Sequence, residues 1–265
     1  MERTYRVGTR TSPLALKQVE EVLNILKGFY PGMQVEVIGI DTYGDKDKVT
    51  PISEIEGTDF FTREIDEALL KNEIDFSVHS AKDLPDESRD DLVTPAVTSS
   101  IDSFDALVSK SGLTLDKLPE GARIGTSSLR RKAQLKEYRK DFEIVDIRGN
   151  IEERLMLLDD NYPNRIGSLM LQNEYDLFCN IRSLRQPTRL NIDAIVIAAC
   201  ALTRLGLSHR ITQRIPLEIL KPHPLQGGLA IVARAVDLEL VKLLSVLHGA
   251  MHQRLAPCER FLNDR

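Results

Sequence analysis

Along the first third of the chain the apolar positions switch between a period of two and a period near 3.6, the pattern of strands that feed helices. Residues 5–9 form a short, partly β-branched run that predicts a strand. Ser12-Pro13 then offers an N-cap followed by proline at the first helical position, and Ala15, Val19, Val22, Leu23 and Leu26 follow at helical spacing up to Gly28, where the helix is expected to close. Residues 34–40 read as a strand, a helix with Phe61, Ile65, Ala68 and Leu69 on one face comes next, and residues 74–79 read as another strand. Further strands fit residues 143–147 and 192–198, and Asn150 with Glu153 three positions on has the form of a capped helix start. Strands alternating with helices predict an α/β fold with largely parallel sheet.

The opening unit recurs. Val7-Gly8-Thr9-Arg10-Thr11-Ser12 is echoed 117 residues later by Ile124-Gly125-Thr126-Ser127-Ser128, each ahead of a helix. Two hydroxyl-rich strand-to-helix turns so placed suggest two lobes that open alike; Gly-Thr-Ser is also common turn and cap chemistry, and the pattern alone leaves both readings open. The expected organisation is one lobe from residues 1–100 with a return segment at 216–236, and a second lobe from 101–215. The second lobe carries an insertion near 160–191, marked by the turn signals Tyr162-Pro163 and Gln186-Pro187. Residues 237–265 are expected to form C-terminal helices.

At 265 residues and 29.9 kDa, with 42% apolar and 28% charged residues, the chain has room for about two domains and is neither disordered nor fibrous. Its longest apolar run, residues 194–202, is under half of the ~20 residues that a membrane-spanning helix needs. The start, MERTYRVGTR, offers no apolar stretch for a signal peptide, so the expectation is a soluble cytosolic protein without a membrane partner. Cys179, Cys200 and Cys258 make no CxxC pair, zinc spacing or disulfide framework, and no metal is expected. A net charge of −5 argues against a nucleic-acid partner. Residues 121–155 nevertheless hold nine Lys or Arg against six Asp or Glu, a candidate anion site within an acidic chain.

Arg10, Arg130, Arg131, Arg148 and Arg154 all stand at turns where strands give way to helices, and such turns border ligand crevices in α/β sheets. Any one of them alone is more simply a solvated arginine. Five together point to carboxylates or phosphates, which the planar guanidinium grips with paired bonds. Asp83, in His79-Ser80-Ala81-Lys82-Asp83-Leu84-Pro85, follows a strand end; a carboxylate there can stabilise a cationic intermediate or exchange a proton with a substrate nitrogen, and a plain turn aspartate explains the segment equally well. His79 reads as a hydrogen-bonded structural histidine and Cys200 as a core thiol. Neither a Gly-x-Ser-x-Gly elbow nor a phosphate-binding P-loop is present.

Taken together, Gly8-Thr9-Arg10 with Ser12-Pro13-Leu14-Ala15-Leu16, Val78 to Pro85, Ile124 to Arg131 with Gln134-Leu135, Arg148-Gly149-Asn150 with Arg154-Leu155, and Arg204-Leu205-Gly206-Leu207 resemble the porphobilinogen deaminase, or hydroxymethylbilane synthase, family in order and spacing over most of the chain. The resemblance implies two lobes like those of type II periplasmic binding proteins around a cleft, and a third small domain that holds a dipyrromethane cofactor on a cysteine thioether. It implies a transferase that joins four porphobilinogen units head to tail with loss of ammonia, in tetrapyrrole and heme biosynthesis. Asp83 becomes the carboxylate that handles pyrrole nitrogens and the methylene-pyrrole cation. Arg10, Arg130, Arg131, Arg148, Arg154 and Arg204 become binders of acetate and propionate groups, with Ser12, Lys82 and Ser128 as secondary contacts.

Three features depart from that family. Gly57-Thr58-Asp59-Phe60-Phe61-Thr62-Arg63 stands where it has Gly-Lys-Gly-Leu-Phe-x-Lys, nearly thirty extra residues lie between Asp159 and Asp193, and the sequence ends at Arg265, ahead of the expected Gly-Gly-Cys. Cys258 precedes the Glu259-Arg260-Phe261-Leu262 segment that the family's cofactor cysteine follows, so an ordinary helical thiol is the plainer reading of it. These departures leave a second expectation beside the enzyme: a homologue that binds a pyrrole or another polycarboxylate without turnover. The sequence carries no expectation about oligomeric state.

Overall fold

The computed structural model describes residues 3–47, 58–86, 89–158 and 191–249. The insertion near 160–191, most of the C-terminal helices and Cys258 lie outside the described residues. The chain divides into two compact units: Met1–Lys46, Gly57–Ser103 and His223–Arg265 form unit 1, and Asp47–Glu56 with Phe104–Pro222 form unit 2.

Unit 1 begins with β1 (Thr4–Arg10), α1 (Pro13–Phe29) and β2 (Gln34–Ile40). Ser12 caps α1, its hydroxyl accepting from the Ala15 N–H at 3.3 Å, with Pro13 in the first turn as the sequence predicts. The helix passes through Gly28 and ends at Phe29, where Tyr30 N–H reaches back to the Leu26 carbonyl. A short helix α2 (Tyr43–Lys46) and α3 (Arg63–Leu70) precede β3 (Phe76–Ser80) and β4 (Leu92–Val97). Unit 2 holds β5 (Asp105–Ser109), β6 (Arg123–Gly125), α4 (Leu129–Tyr138), β7 (Glu143–Val145), α5 (Ile151–Leu158), β8 (Ala194–Ala198), α6 (Ala199–Arg204) and β9 (Gln213–Arg214). The chain returns to unit 1 for β10 (Leu229–Arg234) and α7 (Leu238–Leu244).

Each unit is a five-stranded sheet covered by helices, in the order β2-β1-β3-β10-β4 and β7-β6-β8-β5-β9. The expectation of largely parallel sheet holds only in part. β1 runs parallel to β2 and β3, and β6 to β7 and β8, but β10 is antiparallel to both its neighbours and β5 is antiparallel to β8. Neither β10 nor β5 is reached through a strand–helix–strand crossover, which is the connection that forces parallel pairing.

Val19, Val22 and Leu26 of α1 pack on Val7, Phe76, Val78 and Ile231 of the unit 1 sheet, and α3 presses Ile65 and Leu69 against Ile74 and Val232. Burying each such side chain contributes roughly 1.5–3 kcal/mol. Gly8 lets Ile74 close over β1, since a Cβ there would stand 2.2 Å from its Cδ1. In unit 2, Ile147, Leu155, Ile195 and Ile197 form one core face and Leu107, Ile124, Leu135 and Phe142 the other. The two sheets also share a latch. In unit 1 the Asp75 carboxylate accepts the Arg6 N–H at 2.7 Å and the Asp75 N–H bonds the Arg6 carbonyl; in unit 2 Asp193 does the same with Arg123, its carboxylate at 2.8 Å.

Candidate active site

In unit 1 the turns after β1 and β3 surround a hollow of about 60 Å³ lined by Thr9, Arg10, Ser12, Phe61, His79 and Asp83 among others. Strand ends place Thr9 and Arg10, the helix cap places Ser12, and a single 3₁₀ turn, Ala81–Asp83, carries Asp83 out from β3. Asp83 is exposed, and its carboxylate has no hydrogen bond or ion pair among the described residues. Thr9 is fully buried, and its hydroxyl has no partner among the described residues.

Arg10 is held from two sides. Its guanidinium lies 4.7 Å from the centroid of the Phe61 ring, and its Nε donates to both Asp45 oxygens at 3.1 Å while Nη2 also reaches Oδ1. Burial pushes the Asp45 carboxyl up, but the hydrogen bonds and charge of Arg10, with help from Thr42, outweigh it and keep the group below its ordinary range. His79 is buried with Nε2 2.8 Å from the Ser77 hydroxyl, as a structural histidine should be. Burial first, and then the Arg10 charge, push it down to about 4, so at neutral pH it brings a ring nitrogen to the hollow and no charge. Lys82 does not line the hollow; its Nζ donates to Gln226 Oε1 at 3.1 Å.

The cations of unit 2 differ in how far they are committed. Arg131 is buried, with Nη2 on the Asp105 carboxylate at 2.6 Å and Nη1 on the Val196 carbonyl at 3.4 Å. Arg130 shares Asp105 at 3.3 Å, donates to the Lys221 carbonyl and keeps 28% of its side chain exposed. Both stand in the first turn of α4, where Ser128 occupies the cap position without using its hydroxyl as a cap. Arg148 and Arg154 flank one turn. Arg154 Nε donates to the Gly149 carbonyl at 2.9 Å, and Arg148 Nη2 to the Asp47 carbonyl at 2.8 Å. Arg148 Nε is buried without a partner, and that burial lowers the guanidinium pKa while Asp47 pulls it back up. Asn150 and Glu153 exchange side-chain-to-backbone bonds at 2.8 Å each, the reciprocal cap that their spacing predicts. Arg204 closes α6, and Cys200 is buried within that helix.

The sequence reading missed Asp45, Asp105 and Gln226. A carboxylate that opens the apolar strand Asp105-Ala106-Leu107-Val108 was a signal for one of them, since a fully buried charge demands a counterion. Among the described residues, no group of three or more His, Cys, Asp or Glu is placed to hold a metal, and no helix is long and apolar enough to cross a membrane.

Residues 5–242 match the family model "Porphobilinogen deaminase, dipyromethane cofactor binding domain". A porphobilinogen deaminase of Natranaerobius thermophilus is 39% identical over 97% of this chain and 74% of its own length, and one of Brevibacillus brevis is 39% identical with the same coverage. Among solved structures, the methionine-binding protein MetQ is similar with a TM-score of 0.47 at 17% identity, over 92% of this chain and 89% of that one.

Proposed function

This chain belongs to the porphobilinogen deaminase family, and from that premise we propose that it joins porphobilinogen units head to tail with loss of ammonia, Asp83 being the carboxylate at the reacting centre. It is thus a transferase of tetrapyrrole biosynthesis that builds hydroxymethylbilane. The observation that carries the assignment of Asp83 is its free carboxylate beside a hollow that Arg10 also lines.

The reaction needs two things from the protein. Porphobilinogen is a pyrrole with an aminomethyl group and two carboxylate arms. Its C–N bond breaks as the amine takes a proton and leaves as ammonia, giving a methylene-pyrrole cation. The free α-carbon of the next pyrrole attacks, a C–C bond forms, and the α-proton is released, so the proton taken up is returned. A fixed carboxylate stabilises the cation more than the neutral ring, which lowers the barrier by differential binding. Asp83 fills that role. The arms need cationic forks, and Arg10, Arg130, Arg131, Arg148, Arg154 and Arg204 supply them, with Ser12, Lys82 and Ser128 as polar contacts. The proposed setting is the cytosol, in keeping with a small polycarboxylate substrate.

The family's dipyrromethane carries the same carboxylate arms, and a buried donor in unit 2 fits one of them: Arg148 Nε has no partner among the described residues. Arg148 is the residue proposed to hold that arm. When bound, the group supplies the free α-position that accepts the first porphobilinogen.

Asp83→Asn keeps the shape and one hydrogen-bond acceptor but loses the charge. It is expected to bind porphobilinogen nearly as the parent does while turnover falls by at least about 100-fold. A product assay on the purified protein primed with preformed dipyrromethane, beside a binding titration, reads both; a variant as fast as the parent would make Asp83 a structural turn residue.

A further inference from the structure

Asp83 is the exposed end of a single 3₁₀ turn, a poor mount for a charge that must stay in place, and two ties of that turn lead to one short loop. Ala81 N–H donates to the Gly228 carbonyl at 3.0 Å, and Lys82 Nζ donates to Gln226 Oε1 at 3.1 Å. Gln226 is fully buried and fixed at its other polar atoms: Nε2 donates to the Ser103 carbonyl at 2.8 Å, and its own carbonyl accepts the Ser100 hydroxyl at 2.7 Å. The backbone beside it has no slack. Gly227 has φ +90°, and a Cβ there would stand 2.2 Å from Ser100 Oγ and 2.8 Å from the Asp102 carbonyl. Ser103 is the last residue of unit 1 before the long Phe104–Pro222 part of unit 2, and His223, whose carbonyl accepts the Gln226 N–H at 2.9 Å, is the first residue after it.

We propose that Gln226 is a positioning residue for Asp83: its carboxamide ties the Lys82–Asp83 turn to Ser103, where the chain leaves unit 1 for Phe104–Pro222, and its backbone N–H ties the same loop to His223, where the chain returns. The carboxamide suits this because it accepts at one end and donates at the other. The Lys82 ammonium can only donate and the Ser103 carbonyl can only accept, so the orientation of the side chain is dictated. A hydrogen bond made by a buried amide is stronger as a brace than an exposed one, since water competes for it less.

The proposal rests on the reading of Asp83 as the catalytic carboxylate, and its test keeps the two apart. Gln226→Met keeps the stem and loses both bonds; Gln226→Glu keeps an oxygen for Lys82. The Met variant is expected to lose about tenfold or more in kcat with KM for porphobilinogen within about twofold. Amide hydrogen exchange at Lys82 and Asp83 is expected to quicken in it, in the absence of any ligand. Gln226→Glu is expected to recover most of kcat. Parental kcat and exchange in the Met variant, or equal losses in the Met and Glu variants, would each overturn the proposal. If Asp83→Asn is inactive while Gln226→Met is normal, only this proposal falls; if Asp83→Asn is as fast as the parent, its premise falls with it.

Discussion

An arginine whose fork is already bonded to a carboxylate of its own chain must release that partner before it can grip a substrate, and this separates cations that look alike in sequence. Among the described residues Arg148 is hydrogen-bonded to the Asp47 carbonyl and to no carboxylate, so it is expected to be the readier cation for a carboxylate arm. Arg148→Ala is expected to weaken porphobilinogen binding by roughly 10–100-fold, the worth of one charge-assisted contact, as read by titration. Arg131 is at the other extreme, with Asp105 wholly buried beneath it. Asp105→Ala strands that charge and is expected to cost about 3–5 kcal/mol in urea unfolding, whereas Asp105→Leu with Arg131→Met is expected to regain most of the loss. Why the sequence disclosed some of these contacts and hid others follows from chain separation. The Asn150–Glu153 cap spans three residues and its spacing announces it. Arg10 meets Asp45 across 35 residues, Arg131 meets Asp105 across 26 and Lys82 meets Gln226 across 144, and no periodicity encodes such pairings.

The strands and helices of unit 1 give the fold an opposed response to acid. Asp66, buried on α3, is pushed up to about 6 by desolvation. In the unfolded chain it releases its proton near 4, so between about pH 4 and 6 the fold holds the extra proton, and stability falls as pH rises through that window. His79 on β3, pushed down to about 4, works the other way: the unfolded imidazole takes a proton near 6.5 that the fold refuses, so stability falls as pH drops from about 6.5 to 4. The two slopes offset one another. Asp66→Asn is expected to raise stability by about 2 kcal/mol at pH 7, with the gain gone near pH 4 and the acid sensitivity of His79 laid bare. Thermal unfolding of parent and variant across pH 4–8 measures it; a gain that does not shrink with acid would mean that Asp66 carries no raised pKa. At this scale the sequence was readable where one helix face or one strand decides the matter, as in α1 with Ser12, Pro13 and its buried valines. The direction of β10 was not, because its partners β3 and β4 lie well over 100 residues upstream.

Across the whole molecule the two sheets match strand for strand once β10 is set against β5: β2-β1-β3-β10-β4 beside β7-β6-β8-β5-β9. The Arg6–Asp75 latch and its Arg123–Asp193 counterpart lie at the same place in each, and Thr9 and Thr126 are both buried with unpartnered hydroxyls. The echo of Gly8-Thr9 in Gly125-Thr126 was visible in the sequence; that β10 comes last in its unit while β5 comes first was not, since only pairing reveals it. This difference sets a timetable for folding. All five strands of unit 2 lie in one stretch of chain from Asp105 to Arg214, whereas unit 1 waits for Leu229–Arg234 to fill the gap between β3 and β4. Nearby pairings form sooner than distant ones, so pulse-labelled hydrogen exchange during refolding is expected to protect the amides of β8 before those of β3; the reverse order would mean that β3 and β10 nucleate the fold. On a ribosome the same timetable leaves β3 and β4 as two bare edges until the chain beyond Pro222 emerges, the state most open to wrong pairing. The mount of Asp83, which hangs from Gln226 and Gly228, is then one of the last parts to be finished, so a nascent chain stalled short of residue 226 carries Asp83 on a turn that has neither of those two ties.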